Sequence, residues 1–106
     1  MKAINRIKKS EDFAFTIKKG TAHRNGLFVV HVIKNELGYA RIGVSVSSKL
    51  GCAVIRNRIK RQMRAMAAEV VQIEQTSFDI VIVAKSGFLN HSFEENKTLL
   101  AQLLTL

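Results

Sequence analysis

Apolar and polar positions change their period along this chain, and the changes mark its elements. From Leu27 to Lys34 the pattern alternates, with Phe28, Val30 and Val32 on one face and Leu27, Val29 and His31 on the other. Asn35 to Gly38 reads as a hairpin turn. Tyr39 to Ser47 is then expected to return antiparallel, setting Ile42, Val44 and Val46 against Arg41, Gly43 and Ser45. That second face is small and polar, which points to an open floor. Ser77 to Ala84 is the most strand-like run, and Thr21 to Gly26 reads as a loop with room for a short strand.

From Ile55 the period becomes helical. Ile55, Ile59, Met63, Met66 and Val70 make one apolar face at about 100° per residue, on a helix expected from about Ala53 to Gln75. An earlier helix opens at Ser10, read as its cap, with Glu11 and Asp12 toward the positive end of the dipole. Phe13, Ala14 and Ile17 give it an apolar edge, and Gly20 ends it after Lys18 and Lys19. Ser92 and Glu95 form a capping box for a last helix striped by Leu99, Leu100, Leu103 and Leu104. The order is helix, two or three strands, helix, strand, helix. This is an α+β sandwich, expected to be one domain over residues 1–106.

Composition agrees with a single core: 106 residues, 47% apolar and 24% charged. One cysteine excludes an internal disulfide and a Cys-based zinc site. No apolar run reaches the roughly 18–20 residues that cross a bilayer, and the basic N-terminus lacks the apolar stretch of a signal peptide. The expected location is therefore the cytoplasm, away from membranes.

Charge changes the picture more. The net charge of +9 is uneven, with 15 Lys/Arg against 3 acids over residues 1–64 and 2 against 5 beyond. Between positions 49 and 64 stand Lys49, Arg56, Arg58, Lys60, Arg61 and Arg64, with no acid among them. On the helix, Arg56, Asn57, Lys60, Arg61 and Arg64 share the arc opposite the apolar face, and Arg58 flanks it. A solvated basic face usually carries interspersed acids at i,i+4; their absence points to a polyanion as partner.

Independent catalysis finds little support. His23, His31 and His91 are scattered, and no nucleophile triad, paired carboxylates or phosphate-binding glycine loop is present. Cys52 lies before a helix and beside cations, a setting that can activate a thiol, but it reads first as a small residue filling a tight turn. RNA binding fits better. Arginine forks and helix-start amides suit phosphates, and Asn57 suits a base edge or 2′-hydroxyl. Phe13, Ile17, Val29 and His31 can line a second surface floored by Gly43 and Ser45, as single-stranded nucleic acid favours; Phe13 and Ile17 fit ordinary core equally.

The run Arg56-Asn57-Arg58, with Gly43 to Ser47, Lys49 to Gly51, Ala53 to Arg61 and Arg64, closely resembles the signature of the bacterial ribonuclease P protein component. Asn5 to Phe13, Lys19-Gly20 and Ser77 to Ala84 extend the resemblance over nearly the whole chain. It implies an αβββαβα fold with a four-stranded sheet and a left-handed crossover around the basic helix, where general chirality favours a right-handed one. It implies a protein subunit, monomeric and 1:1 with a catalytic RNA, in an endoribonuclease that removes the 5′ leader of precursor tRNA. Magnesium would be held by the RNA and substrate. Lys49, Arg56, Asn57, Arg58, Lys60, Arg61 and Arg64 would contact the catalytic RNA; Phe13, Ile17, His31, Arg41 and Ser45 would line the leader groove. Ser48 stands where a second lysine is common, Cys52 where asparagine is common, and Ile17 and His31 where aromatics are frequent. The chain ends at Leu106 without the basic tail many members carry. The competing reading is a ribosomal protein or general RNA chaperone using the same helix; an autonomous nuclease ranks last.

Overall fold

Phe78–Ala84 is apolar on both of its faces, and a strand of that kind must be covered on both sides. In the computed structural model, which describes residues 2–104, it takes an interior position of a four-stranded sheet ordered β1-β2-β4-β3. Met1, Thr105 and Leu106 lie outside the described residues, and with them the two ends of the expected 1–106 span and the tail-less terminus. The strands are β1 (Thr21–Arg24), β2 (Phe28–Lys34), β3 (Arg41–Val46) and β4 (Phe78–Ala84); the helices are α1 (Ser10–Lys19), α2 (Ala53–Val70) and α3 (Phe93–Leu104). The architecture is α+β in the expected element order.

The expected β2–β3 hairpin does not form. β4 inserts between the two strands, antiparallel to β2 (Val30↔Ile82) and parallel to β3 (Val44↔Ile82), and α2 makes the β3–β4 connection. Alternation tells which face a side chain takes but not which strand lies alongside. Here the end of β2 is fastened to the start of β4: Asn35 N donates to Ser77 O at 2.9 Å, and Asn35 Nδ2 donates to Asp79 Oδ1 at 2.8 Å. The turn at Gly38 (φ 81°) instead carries the chain over to the far side of β4.

On one sheet face, Phe28, Val30, Ile42, Val44, Ile80 and Ile82 meet Ile59, Met63 and Met66 of α2 and Leu100 and Leu103 of α3. Phe28 packs edge-to-face on Phe88, centroids 5.9 Å apart. Leu27, expected on the opposite face, lies just before β2 and is buried in this core. α1 covers part of the other face. Its cap is Lys9, without a side-chain bond, and Ser10 is already helical, so the expected Ser10 cap is absent. The Ser92–Glu95 box does form, with reciprocal bonds of 3.0 and 3.2 Å. α2 stops at Val70, five residues short of expectation, because the chain turns there and Ile73 O must accept from Ala40 N at 2.7 Å. No described helix is long and apolar enough to cross a membrane.

Candidate RNA interface

The basic face is built at the entry to α2. Ser47 Oγ accepts from Lys49 N at 3.2 Å, starting a turn over Ser48–Leu50 whose last residue is buried. Gly51 follows at φ +145°, and a Cβ there would strike Ile55 at 3.0 Å. The turn therefore swings Lys49 outward while Ile55 packs inward. Ile59, Met63 and Met66 then bury the apolar stripe. Asn57, Arg58 and Arg61 are exposed; Arg56, Lys60 and Arg64, one turn apart on a single row, are half-buried.

Among the described residues, none of Lys49, Arg56, Arg58, Lys60, Arg61 or Arg64 forms an ion pair. Six of the eight acids are engaged elsewhere: Asp12 and Asp79 by Arg41, Glu69 and Glu94 by Lys97, Glu74 by Lys2, and Glu95 by His91. Glu69 lies on α2 itself and still turns to Lys97 of α3 at 3.1 Å. Arg56 Nε is buried with no hydrogen-bond partner. Arg64 is held below the ordinary arginine range by burial and, secondarily, by the charge of Arg6. Cys52 is exposed at the N-cap, correcting the tight-filler reading. The amides of Ile55 and Val54 pull its thiol below the ordinary value, although no capping bond to its side chain is formed.

The second surface lies where α1 crosses the other sheet face. Strand register arranges that face in rows: Ile33–Asp79–Arg41, then Ala22–His31–Val81–Gly43, then Arg24–Val29–Val83–Ser45. Phe13 rests on Gly43, where a Cβ would come within 2.8 Å of its ring. Thr16 is wholly buried, and Ile17, 40% exposed, remains at the open edge. Phe13 and Ile17 also wall a depression of about 410 Å³ rimmed by Lys8 and Lys9, which the sequence reading left out. His31 and Ser45 are half-buried on the floor. His31 Nδ1 has no partner, and its imidazole is shifted below 6.5 by burial and then by Arg24.

Arg41 is placed differently from the other groove candidates. Its Nε and Nη2 donate to the two Asp79 carboxylate oxygens, and Nη1 donates to Asp12 Oδ2 at 3.3 Å. It ties α1 to the sheet, with its pKa raised chiefly by the Asp79 bond, and shapes the groove without offering a free charge. No three His, Cys, Asp or Glu side chains among the described residues converge as a metal-binding group.

The family model for ribonuclease P matches residues 1–106. The ribonuclease P protein component of Mesoplasma florum is 44% identical over 105 residues, covering 98% of this chain and 96% of the relative. That of Bacillus cereus is 42% identical, covering 92% and 85%. Among solved structures, the Staphylococcus aureus RNase P protein superposes with a TM-score of 0.83 at 34% identity, over 95% of this chain and 93% of that one. The Thermotoga maritima RNase P protein gives 0.80 at 30%, over 95% and 96%. With the fold, the basic helix and the full-length match in agreement, the chain belongs to the ribonuclease P protein family and is the protein subunit of an endoribonuclease with an RNA partner.

Proposed function

We propose that the α2 face docks the catalytic RNA and that the groove beside α1 holds the single-stranded 5′ leader of precursor tRNA, one protein per RNA. The observation that carries this reading is the row of α2 cations with no acid of their own domain against them. Unpaired guanidinium groups are free to pair with phosphate oxygens, and the half-buried Arg56 and Arg64 have less side-chain freedom to lose on docking than exposed arginines. Asn57, exposed among them, can bond a base edge or 2′-hydroxyl. In the groove, Phe13 and Ile17 offer flat and apolar contact and His31 and Ser45 offer polar contact, while Lys8 and Lys9 rim the separate depression that Phe13 and Ile17 also wall.

The cutting itself belongs to the RNA in this reading, with magnesium held by RNA and substrate, and the protein's residues bind and orient. Reconstitution with the organism's own catalytic RNA tests this. The protein alone should leave precursor tRNA uncut, and adding it to the RNA should lower the magnesium needed for cleavage. A matched competition should favour precursor over mature tRNA. Cleavage indifferent to the protein across magnesium and salt, or equal competition by the two tRNAs, would count against it.

A further inference from the structure

One strip on the α1 side of the sheet is left uncovered. α1 begins over β3, where Asp12 meets Arg41 and Phe13 rests on Gly43. It ends against β2, where a Cβ on Gly20 would lie 3.0 Å from Val32 O. The helix therefore crosses the strands over the rows that hold Arg41 and Gly43. The next row, Arg24–Val29–Val83–Ser45, runs alongside it from one edge strand to the other. None of these four residues is buried: Val29, Val83 and Ser45 are half-buried, and Arg24 is exposed. With strands about 4.8 Å apart, the strip is about 14 Å long from Ser45 to Arg24.

Register fixes the side that Arg24 takes. Val29 alternates with the core residues Phe28 and Val30, so Val29 and its cross-strand partner Arg24 point to the α1 side. His31 stands diagonal to Arg24 on the same face, and the charge of Arg24 adds to the burial that lowers the imidazole. Of the two arginines in these rows, Arg41 is bonded to Asp79 and Asp12, whereas Arg24 enters no ion pair among the described residues. The other end of the strip, Ser45, lies two residues before Ser47, which opens the turn into α2. A strand arriving from the α2 face thus enters at Ser45, crosses Val83 and Val29, and meets Arg24 last.

We infer that Arg24 is a leader-binding residue, its guanidinium pairing with a phosphodiester of the leader where the strip ends at β1. The site rests on the reading of this groove as the leader's path. Arginine's fork matches phosphate oxygens, and Arg24 is the free cation that these rows offer. Its place at the far edge makes it sensitive to leader length, because a leader too short to cross the strip does not reach it. A charge on an edge strand also discourages edge-to-edge pairing, a role that makes no demand on leader length.

The test uses holoenzyme reconstituted with the catalytic RNA, titrated with precursor tRNAs that differ only in leader length and with mature tRNA. Arg24→Gln should weaken binding of long-leader precursors about five- to tenfold, the loss of a charged hydrogen bond reduced by its exposure. The slope of log affinity against log salt should fall by about 0.7, the single-strand value for one phosphate. Short-leader precursors and mature tRNA should bind as they do to the native protein. Arg24→Lys should keep the salt slope, and Arg24→Glu should weaken long-leader binding further. Melting temperatures should stay close to native in all three, since the side chain has no partner to lose. A native preference for long leaders that Arg24→Gln leaves unchanged would overturn the Arg24 site while the groove reading stands. Equal losses with long leaders and mature tRNA would also overturn it, placing Arg24 against the tRNA body or the catalytic RNA. Self-association of Arg24→Gln with leader affinity intact would assign the residue to edge protection instead. If the native protein itself shows no preference for leader-bearing tRNA, the groove reading falls first and Arg24 with it.

Discussion

Arg41 and Arg61 carry the same charge and are put to different uses by their surroundings. Arg41, 24% exposed, is bonded to Asp79 and Asp12. Asp79→Ala should therefore destabilise the fold by roughly 3 kcal/mol, the low end of about 3–5 kcal/mol for breaking a buried pair, since Arg41 keeps some water. Urea unfolding measures this; an unchanged midpoint would make the pair ornamental. Arg61 and Arg56 have no such partner, so Arg56→Ala and Arg61→Ala should weaken RNA binding and lower its salt slope by about one each, with the melting temperature nearly unchanged. A collapse in stability would make them structural. His31 offers a pH handle. Because burial and Arg24 hold its folded value below the ordinary 6.5, the unfolded chain takes up this proton at higher pH than the folded one. Its contribution to stability is thus full above 6.5 and is lost as pH falls through the lowered folded value. His31→Phe should flatten that part of the stability–pH curve. A curve unchanged by the substitution would refute the burial argument.

At the scale of elements, what was legible in the sequence follows from what each pattern encodes. The α2 stripe and its opposite arc could be read because helical period fixes both at once, and Ile59, Met63 and Met66 are buried where the spacing puts them. Strand faces were equally readable: Phe28, Val30, Ile42 and Val44 all enter the core. Strand neighbours were not, since Asn35–Gly38 looks like a hairpin turn until Ser77 and Asp79 are known to seize Asn35. The Ser10 cap failed by one residue, with Lys9 taking the position. Of the candidate site, the cations of α2 were legible and the double engagement of Arg41 was not, because Asp79 lies 38 positions away in sequence. The close fit of Phe13 on Gly43 yields a prediction for α1 as an element. Gly43→Val should push α1 off the sheet, lowering stability by about 1–3 kcal/mol and opening the groove, measurable by denaturation and by loss of preference for leader-bearing tRNA.

For the molecule as a whole, the separation of charge governs assembly. Most acids are consumed in pairs around α1, α3 and the end of α2, leaving the α2 arc positive. If about six phosphates are contacted, affinity for the catalytic RNA should fall on the order of a thousandfold between ~50 and ~200 mM salt, by analogy with duplex DNA. Filter binding across that range checks it, and a flat dependence would remove electrostatics as the basis of docking. The insertion of β4 between β2 and β3 has a further consequence, in time instead of space. Synthesis delivers β1, β2, β3 and the cationic rod of α2 before the strand that joins β2 to β3 exists. Until residues 78–84 leave the ribosome, β3 has no paired strand except the short bridge at Arg6, and the nascent chain is a polycation whose sheet is limited to the β1–β2 pair. A fragment ending at residue 75 should accordingly stay unfolded, and the growing chain must keep clear of every RNA it meets until its keystone arrives.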